Sequence, residues 1–129
     1  MSESIHQEIA IDAAPERVYA LLTTSAEFSQ MTGGAPAEID TSPGGEFSCF
    51  GGMIHGRTVE ASPGEWLVQA WRVKSWDPGV YSLVRFQIRS DGDRSRIVLD
   101  HSGFPQGQGE HLDQGWHTNY WEPLKAVLA

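Results

Sequence analysis

The chain has 129 residues, of which 40% are hydrophobic, and a formal net charge of −8 at neutral pH. This length is sufficient for one domain with its own core, so we expect residues 1–129 to form a single domain. The nine lysine and arginine residues are scattered along the sequence, whereas nucleic acids and anionic membranes are bound by clustered cations. We therefore expect neither a nucleic acid nor an anionic membrane surface as a partner.

Sequence features also bear on where the protein is found. No run of about 18 apolar residues is present, so we expect no membrane insertion. The first residues, MSESIHQE, have neither the basic start nor the apolar stretch of a secretory signal. Cys49 is the only cysteine, so no internal disulfide can form. Together these features predict a cytoplasmic location.

The N-terminal part of the sequence predicts a strand followed by two short helices. Residues 4–12 alternate between apolar and polar side chains, which is typical of a half-buried strand. Pro15 stands near the first position of a helix that extends to about Leu22. A second short helix carries Phe28 and Met31 and ends at the glycine pair 33–34.

The middle of the chain predicts six further strands that are separated by turns rich in glycine and proline. These strands cover residues 37–41, 46–50, 53–60, 66–74, 80–90 and 96–102. Strands joined by consecutive hairpins form an antiparallel sheet, and one of this length is expected to be strongly curved. The predicted fold class is therefore α+β, with the element order β-α-α-β-β-β-β-β-β-α.

Residues 111–129 predict an amphipathic C-terminal helix with an unusually aromatic face. At about 100° per residue, one half of the helical wheel is apolar; it carries Leu112, Trp116, Tyr120, Trp121, Pro123, Leu124, Val127 and Leu128. Pro123 removes the hydrogen bond to the Asn119 carbonyl, so we expect a bend. A helix of this kind over a concave sheet either seals a core or covers a cavity, and the sequence leaves both open.

Two histidines fall on apolar faces of the predicted elements. His101 shares a strand face with Ile97 and Leu99, so it is either a hydrogen-bonded core histidine or a polar anchor in a ligand pocket. His117 lies on the apolar arc of the last helix, four residues after Asp113. This pair is a catalytic dyad if both side chains face inward. Otherwise Asp113 caps the start of the helix and His117 lies half exposed.

A series of short motifs is spread over nearly the whole chain. They are IDAAPERVY at residues 11–19, PGGEF at 43–47, GMIHG at 52–56, Pro63, Leu67-Val68, Trp71-Arg72, LDHSGFP at 99–105 and Gly115-Trp116. In this order they resemble the START-like superfamily, which includes lipid-transfer domains and polyketide cyclases. Within it, the sequence most resembles the family named after the activator of the Hsp90 ATPase. This resemblance implies a helix-grip fold, in which a curved antiparallel sheet wraps around a long C-terminal helix.

The inward aromatic face, with polar groups interspersed, predicts that a small and largely apolar molecule binds between the last helix and the sheet. The predicted lining consists of Gln69, Trp71, Phe86, His101, Trp116, Tyr120 and Leu124. A second hypothesis is an enzyme related to cyclases or hydrolases, with His101 or His117 as general base. A third is an interaction protein that associates with a chaperone or with a toxin–antitoxin-style partner. Homodimerisation is compatible with each of these functions.

The sequence contains no motif that indicates a metal or a cofactor. The five histidines lack the H-x-x-x-H and H-x-H spacings typical of metal sites on helices and strands. The phosphate-binding loop and the G-x-S-x-G nucleophile motif are also absent. We therefore predict that the protein holds neither a metal nor a cofactor.

Overall fold

The computed structural model describes residues 3–128, so the predicted end of the last helix at Ala129 lies outside the described residues. The strands are β1 (Ser4–Ile11), β2 (Glu38–Ile39), β3 (Glu46–Cys49), β4 (Ile54–Ser62), β5 (Trp66–Val73), β6 (Ser82–Asp91) and β7 (Arg94–Ser102). The helices are α1 (Pro15–Thr23), α2 (Ser25–Met31), α3 (Gly109–Trp116) and α4 (Glu122–Leu128). A π turn, His117–Trp121, joins α3 to α4.

The seven strands form one antiparallel sheet in the order β1-β7-β6-β5-β4-β3-β2. The first strand pairs with the last one, so that Ile5 lies opposite His101 and Ile9 opposite Ile97. Side chains alternate strictly in β1, where every second residue is buried. The curved sheet and the C-terminal helix confirm the predicted α+β class and helix-grip architecture. None of the described helices is long and apolar enough to cross a membrane.

The C-terminal helical segment begins at Gly109 and is not a uniform α-helix. The Glu122 N–H donates to the His117 carbonyl, five residues earlier, which is the hydrogen bond of a π turn. Pro123 follows directly, so the irregularity expected from this proline takes the form of a wider turn. Because Pro123 has no N–H, the wider turn lies where the regular hydrogen-bond ladder is interrupted.

The burial of the C-terminal helical segment agrees with the helical wheel at its aromatic residues and differs from it at two polar ones. Within the π turn, the adjacent side chains of Tyr120 and Trp121 are both buried, as the wheel predicted. His117 and Asp113 are both exposed, so their predicted placement on the inner arc is wrong. The alternative role of Asp113 as a helix cap is also wrong, because α3 starts four residues earlier; its carboxylate instead accepts a hydrogen bond from Gln7 Nε2 at 2.9 Å.

Candidate ligand-binding cleft

A cleft of about 330 Å³ lies between the C-terminal helical segment and the β4–β5 end of the sheet. Its walls are largely apolar. The helical segment contributes three buried side chains to them, those of Leu112, Trp116 and Tyr120. From the sheet side, Ile54 and Trp71 contribute buried side chains. Further lining residues are Phe50, Met53, Val73, Ser75, Trp76, Gln108, His111, Gly115 and Asn119. The volume is near the lower end of the range for small-molecule sites.

One wall of the cleft depends on a strained turn between β3 and β4. Phe50 has a φ of 55°, a left-handed backbone conformation that is unusual for a bulky residue. Its ring is held by edge-to-face contacts with Phe28 at 5.6 Å and Tyr120 at 5.5 Å between centroids. These contacts compensate the strain and present Phe50 to the cleft.

The opposite wall depends on the loop between β5 and β6, which carries Trp76. The buried guanidinium of Arg72 donates from Nη2 to the Trp76 carbonyl at 2.7 Å and from Nη1 to the Asp77 carbonyl at 2.9 Å. A third hydrogen bond reaches the Val80 carbonyl at 3.2 Å. Since these carbonyls come from successive parts of the loop, Arg72 fixes its course. Trp76 is thereby held against Trp71, with ring centroids 5.9 Å apart.

Two of the buried residues that border the cleft, Trp71 and Tyr120, carry a polar group. Trp71 is 3% exposed, and its Nε1 has no hydrogen-bond partner among the described residues. Burial raises the pKa of the Tyr120 hydroxyl well above its usual value, so this group stays protonated. The nearby Trp71 indole N–H partly offsets this rise in pKa.

His101 lies deeper, in the packed core behind the cleft. Its Nδ1 accepts a hydrogen bond from Trp116 Nε1 at 3.1 Å, so the proton of the neutral ring is on Nε2, which donates to Ser82 Oγ at 2.8 Å. Ser82 Oγ in turn donates to the Trp71 carbonyl at 2.9 Å. Burial lowers the pKa of His101 to about 4. The imidazole is therefore neutral at pH 7, and both of its nitrogens are occupied.

This geometry bears on the hypothesis of a general base. His101 does not border the cleft and has no free lone pair to accept a substrate proton. His117 is exposed on the outer side of the helix and does not border the cleft either. Within residues 3–128, no group of three or more histidine, cysteine, aspartate or glutamate side chains is arranged to hold a metal ion.

Three of the seven residues predicted to line a ligand site border the cleft: Trp71, Trp116 and Tyr120. The other four, Gln69, Phe86, His101 and Leu124, are buried in the core and do not border it. Their part in ligand binding stays a prediction. Phe50 was missed because it stands at the end of a predicted strand, and Trp76 because it stands in a predicted loop, although a bulky aromatic residue beside two glycines or in a loop is a usable signal.

Residues 12–129 match the family described as "Activator of Hsp90 ATPase homolog 1-like protein". The chain belongs to this family. The resemblance noted in the sequence is therefore confirmed at the level of both the superfamily and the family.

Curated members of the family include chaperone activators. The human "Activator of 90 kDa heat shock protein ATPase homolog 1" is 29% identical over 115 residues, which make up 89% of this chain and 34% of the human protein. A homologue from Dictyostelium discoideum is 33% identical over 92 residues, or 70% of this chain and 24% of that protein. The chain thus spans about a third or less of the length of these relatives.

Solved structures share the fold over almost the whole chain. An HSP90 activator from Plasmodium falciparum superimposes with a TM-score of 0.92 at 25% identity, covering 97% of this chain and 95% of that one. CalU16 from Micromonospora echinospora superimposes with a TM-score of 0.82 at 19% identity, covering 99% of this chain and 77% of that one. The Aha1 dimer from Colwellia psychrerythraea superimposes with a TM-score of 0.81 at 18% identity, covering 98% of this chain and 96% of that one. The last two likenesses concern the fold alone.

Proposed function

We propose that this protein binds a small, largely apolar molecule in the cleft between the C-terminal helical segment and the sheet. The observation that carries the proposal is the cleft itself, a space of about 330 Å³ whose inner walls are buried aromatic and aliphatic side chains. Aromatic walls with a few polar groups are the usual composition of small-molecule sites. A cytoplasmic location is part of the proposal, on the grounds given for the sequence.

Gly115 offers a direct test, because it lines the cleft from α3. A Cβ atom added there meets only Asn119 Nδ2, at an ordinary contact distance of 3.6 Å. We therefore expect Gly115→Leu to place a side chain in the cleft, and removing a helical glycine favours folding. The matched control is Gln114→Leu, which adds the same side chain at an exposed position of α3.

The measurement is the fluorescence of N-phenyl-1-naphthylamine, a neutral apolar dye, titrated with each protein. We expect the wild-type chain and Gln114→Leu to bind the dye equally, and Gly115→Leu to bind at least about tenfold more weakly. Native mass spectrometry of freshly purified protein shows in parallel whether a small molecule is retained. Equal binding by Gly115→Leu, or no binding by the wild type in both measurements, would contradict the proposal.

A second candidate function is association with an Hsp90 chaperone. The supporting observation is the match to curated chaperone activators over 89% of this chain and to the Plasmodium falciparum HSP90 activator over 97% of it. The test is the ATPase rate of the Hsp90 from the same organism, measured with increasing amounts of this chain. A rate that rises to a plateau is expected. An unchanged rate, together with no complex in analytical ultracentrifugation, would exclude this function.

A further inference from the structure

We propose that the free edge of β1 binds a second copy of this chain, and that the two β1 strands pair antiparallel about a two-fold axis at Gln7. Such pairing joins two seven-stranded sheets into one continuous sheet. The inference goes beyond the proposed function and does not depend on it. It rests on the open backbone of this edge and on the order of the charged residues along the strand.

The backbone of β1 is hydrogen-bonded on one side only. On that side it pairs with β7 over its whole length, from Ser4 opposite Ser102 to Ile11 opposite Ser95. Within residues 3–128, no other backbone hydrogen bond involves β1. Every second residue of an antiparallel strand directs its N–H and C=O away from the neighbouring strand. Since buried backbone groups are nearly always paired, these outward groups face solvent and can accept another strand.

The edge at β1 lacks the features by which proteins usually prevent strands from pairing with other chains. Those features are a short strand, a β-bulge, a proline, a lysine or a covering segment. β1 has eight residues, contains neither proline nor lysine, and pairs with β7 without a bulge. The opposite edge of the sheet, β2, has only two residues. Of the two edges, β1 is therefore the one that can support a ladder between two chains.

The C-terminal helical segment meets β1 from the side of the core. Gln7 is buried on that side, and its Oε1 accepts a hydrogen bond from Trp121 Nε1 at 2.6 Å. The side chains of His6 and Glu8 are exposed on the other side of the sheet. The helix thus holds the strand in place through a side chain and makes no backbone hydrogen bond to its edge.

The order of charges along β1 selects one register. A two-fold axis perpendicular to the sheet keeps both cores on the same side, so only residues of the same parity lie opposite one another. Two registers give the longest overlap: residues 4–10 pair about Gln7, or residues 5–11 pair about Glu8. The first places His6 opposite Glu8 of the second copy, whereas the second places Glu8 opposite Glu8. Because opposite charges across a strand pair are favourable and like charges are not, the register about Gln7 is preferred.

The surroundings of His6 suit it to this contact. Its ring is hydrogen-bonded to Asp100 at 2.7 Å and to Glu8 of its own chain at 3.0 Å, and these bonds raise the pKa of His6. Arg85 donates to the other oxygen of Asp100 at 2.7 Å, which partly neutralises that carboxylate. Around the two-fold axis, two imidazoles and two Glu8 carboxylates then alternate on the outer face of the joined sheet.

The first test is the oligomeric state, measured by sedimentation equilibrium. Each copy carries a net charge of −8, so the buffer holds 0.15 M salt, where the Debye length is about 8 Å and long-range repulsion is screened. We expect the wild-type chain to be a dimer in reversible equilibrium with the monomer. His6→Glu places like charges opposite one another on both sides of the axis, so the dissociation constant should rise at least about tenfold.

The matched control is His117→Glu, which makes the same substitution at an exposed position outside β1. Its dissociation constant should stay within about twofold of the wild-type value, because the net charge changes equally while the strand pair is untouched. Circular dichroism of both variants shows that the fold is retained.

Cysteine cross-linking tests the register without depending on charge. When His6→Cys and Glu8→Cys are mixed under mild oxidation, the introduced thiols lie opposite one another, and we expect a disulfide-linked heterodimer. Neither variant alone should cross-link, because its two thiols are then diagonal neighbours, about 7–8 Å apart and beyond the reach of a disulfide. The native Cys49 does not compete, because it is buried and burial raises its pKa to about 12.

Three results would overturn the inference. The first is a wild-type chain that stays monomeric up to about 0.5 mM. The second is a dimer that His6→Glu weakens no more than His117→Glu does, since the interface then lies elsewhere. The third is a mixture that forms no heterodimer, or Glu8→Cys that cross-links with itself, since the register is then wrong. Dye binding in the cleft is measured independently, so the proposed function stands or fails on its own.

Discussion

His101 joins three elements through its side chain. It lies on β7, donates to Ser82 on β6 and accepts from Trp116 on α3, and it is fully buried. Its ring also packs edge-to-face on Trp71, with centroids 4.9 Å apart. Because both nitrogens are paired, this polar group is buried without an unmet hydrogen bond, and it fixes how the helix sits on the sheet.

Replacing this residue tests its structural role. His101→Phe keeps an aromatic ring but leaves the Trp116 N–H buried without an acceptor, so we expect a loss of about 1–3 kcal/mol in the free energy of unfolding. His117→Phe, at an exposed position, should change it by less than about 0.5 kcal/mol. Urea denaturation followed by tryptophan fluorescence measures both. Equal stabilities of the two variants would show that the hydrogen bond to Trp116 contributes little.

At the scale of elements, the π turn narrows the apolar face of the C-terminal helical segment. The buried residues are Gly109, Leu112 and Trp116 in α3, Tyr120 and Trp121 in the π turn and Leu124 in α4, and a uniform α-helix would spread them over a wider arc. The wider turn also accommodates Pro123, whose ring would otherwise clash with the Asn119 carbonyl.

Deleting one residue tests this interpretation. Removal of the exposed Thr118 should turn the π turn into a regular α-helical turn and keep both apolar faces aligned, because a π turn holds about one extra residue. Pro123 then stands inside a regular helix, so we expect a loss of about 3 kcal/mol. Adding Pro123→Ala to the deletion should recover most of this loss in urea denaturation.

The control is deletion of Gln114, which is exposed within α3. It rotates the start of the helix by about 100° relative to Trp116 and removes Leu112 from the core, at a cost of about 2–5 kcal/mol. If Pro123→Ala gives no recovery in the Thr118 deletion, the π turn is not what accommodates the proline.

At the scale of the whole molecule, the protonation of the buried His101 makes the free energy of unfolding depend on pH. The pKa of His101 in the folded chain is about 4, against 6.5 for an unperturbed histidine, because burial disfavours the charged ring. Between these values the unfolded chain binds a proton that the folded chain does not. The free energy of unfolding therefore falls as the pH decreases from about 6.5 to about 4. His6 acts in the opposite direction, because hydrogen bonds to Asp100 and Glu8 raise its pKa.

We expect the wild-type chain to lose about 2 kcal/mol of stability through His101 between pH 7 and pH 4.5. Between the same two pH values, the free energy of unfolding of His101→Phe should decrease by about 2 kcal/mol less than that of the wild type. The decrease for His117→Phe should equal that of the wild type. Urea denaturation at a series of pH values measures the difference. A pH dependence that is the same in His101→Phe and the wild type would mean that His101 does not titrate in this range.

Sequence patterning predicted the elements closely. The predicted strand 66–74 corresponds to Trp66–Val73 and the predicted strand 96–102 to Arg94–Ser102, because alternation with period two and glycine-rich turns are local signals. The inward orientation of His101 followed from the same alternation and is confirmed by its burial. The site was predicted less completely, since Phe50 and Trp76 reach the cleft from two loops far apart in sequence.

The sequence by itself thus determined the strands, the aromatic helix and the family, all of which depend on patterns within short segments. Only the tertiary structure decided the phase of the helix after Trp116, because the π turn adds about one residue to the turn before Pro123. The tertiary structure also decided between a sealed core and a covered cavity, and both are present: the helix seals the core around His101 and leaves a cleft beside Trp71. Packing between segments distant in sequence determines which part of the interface is filled, so no local sequence pattern predicts it.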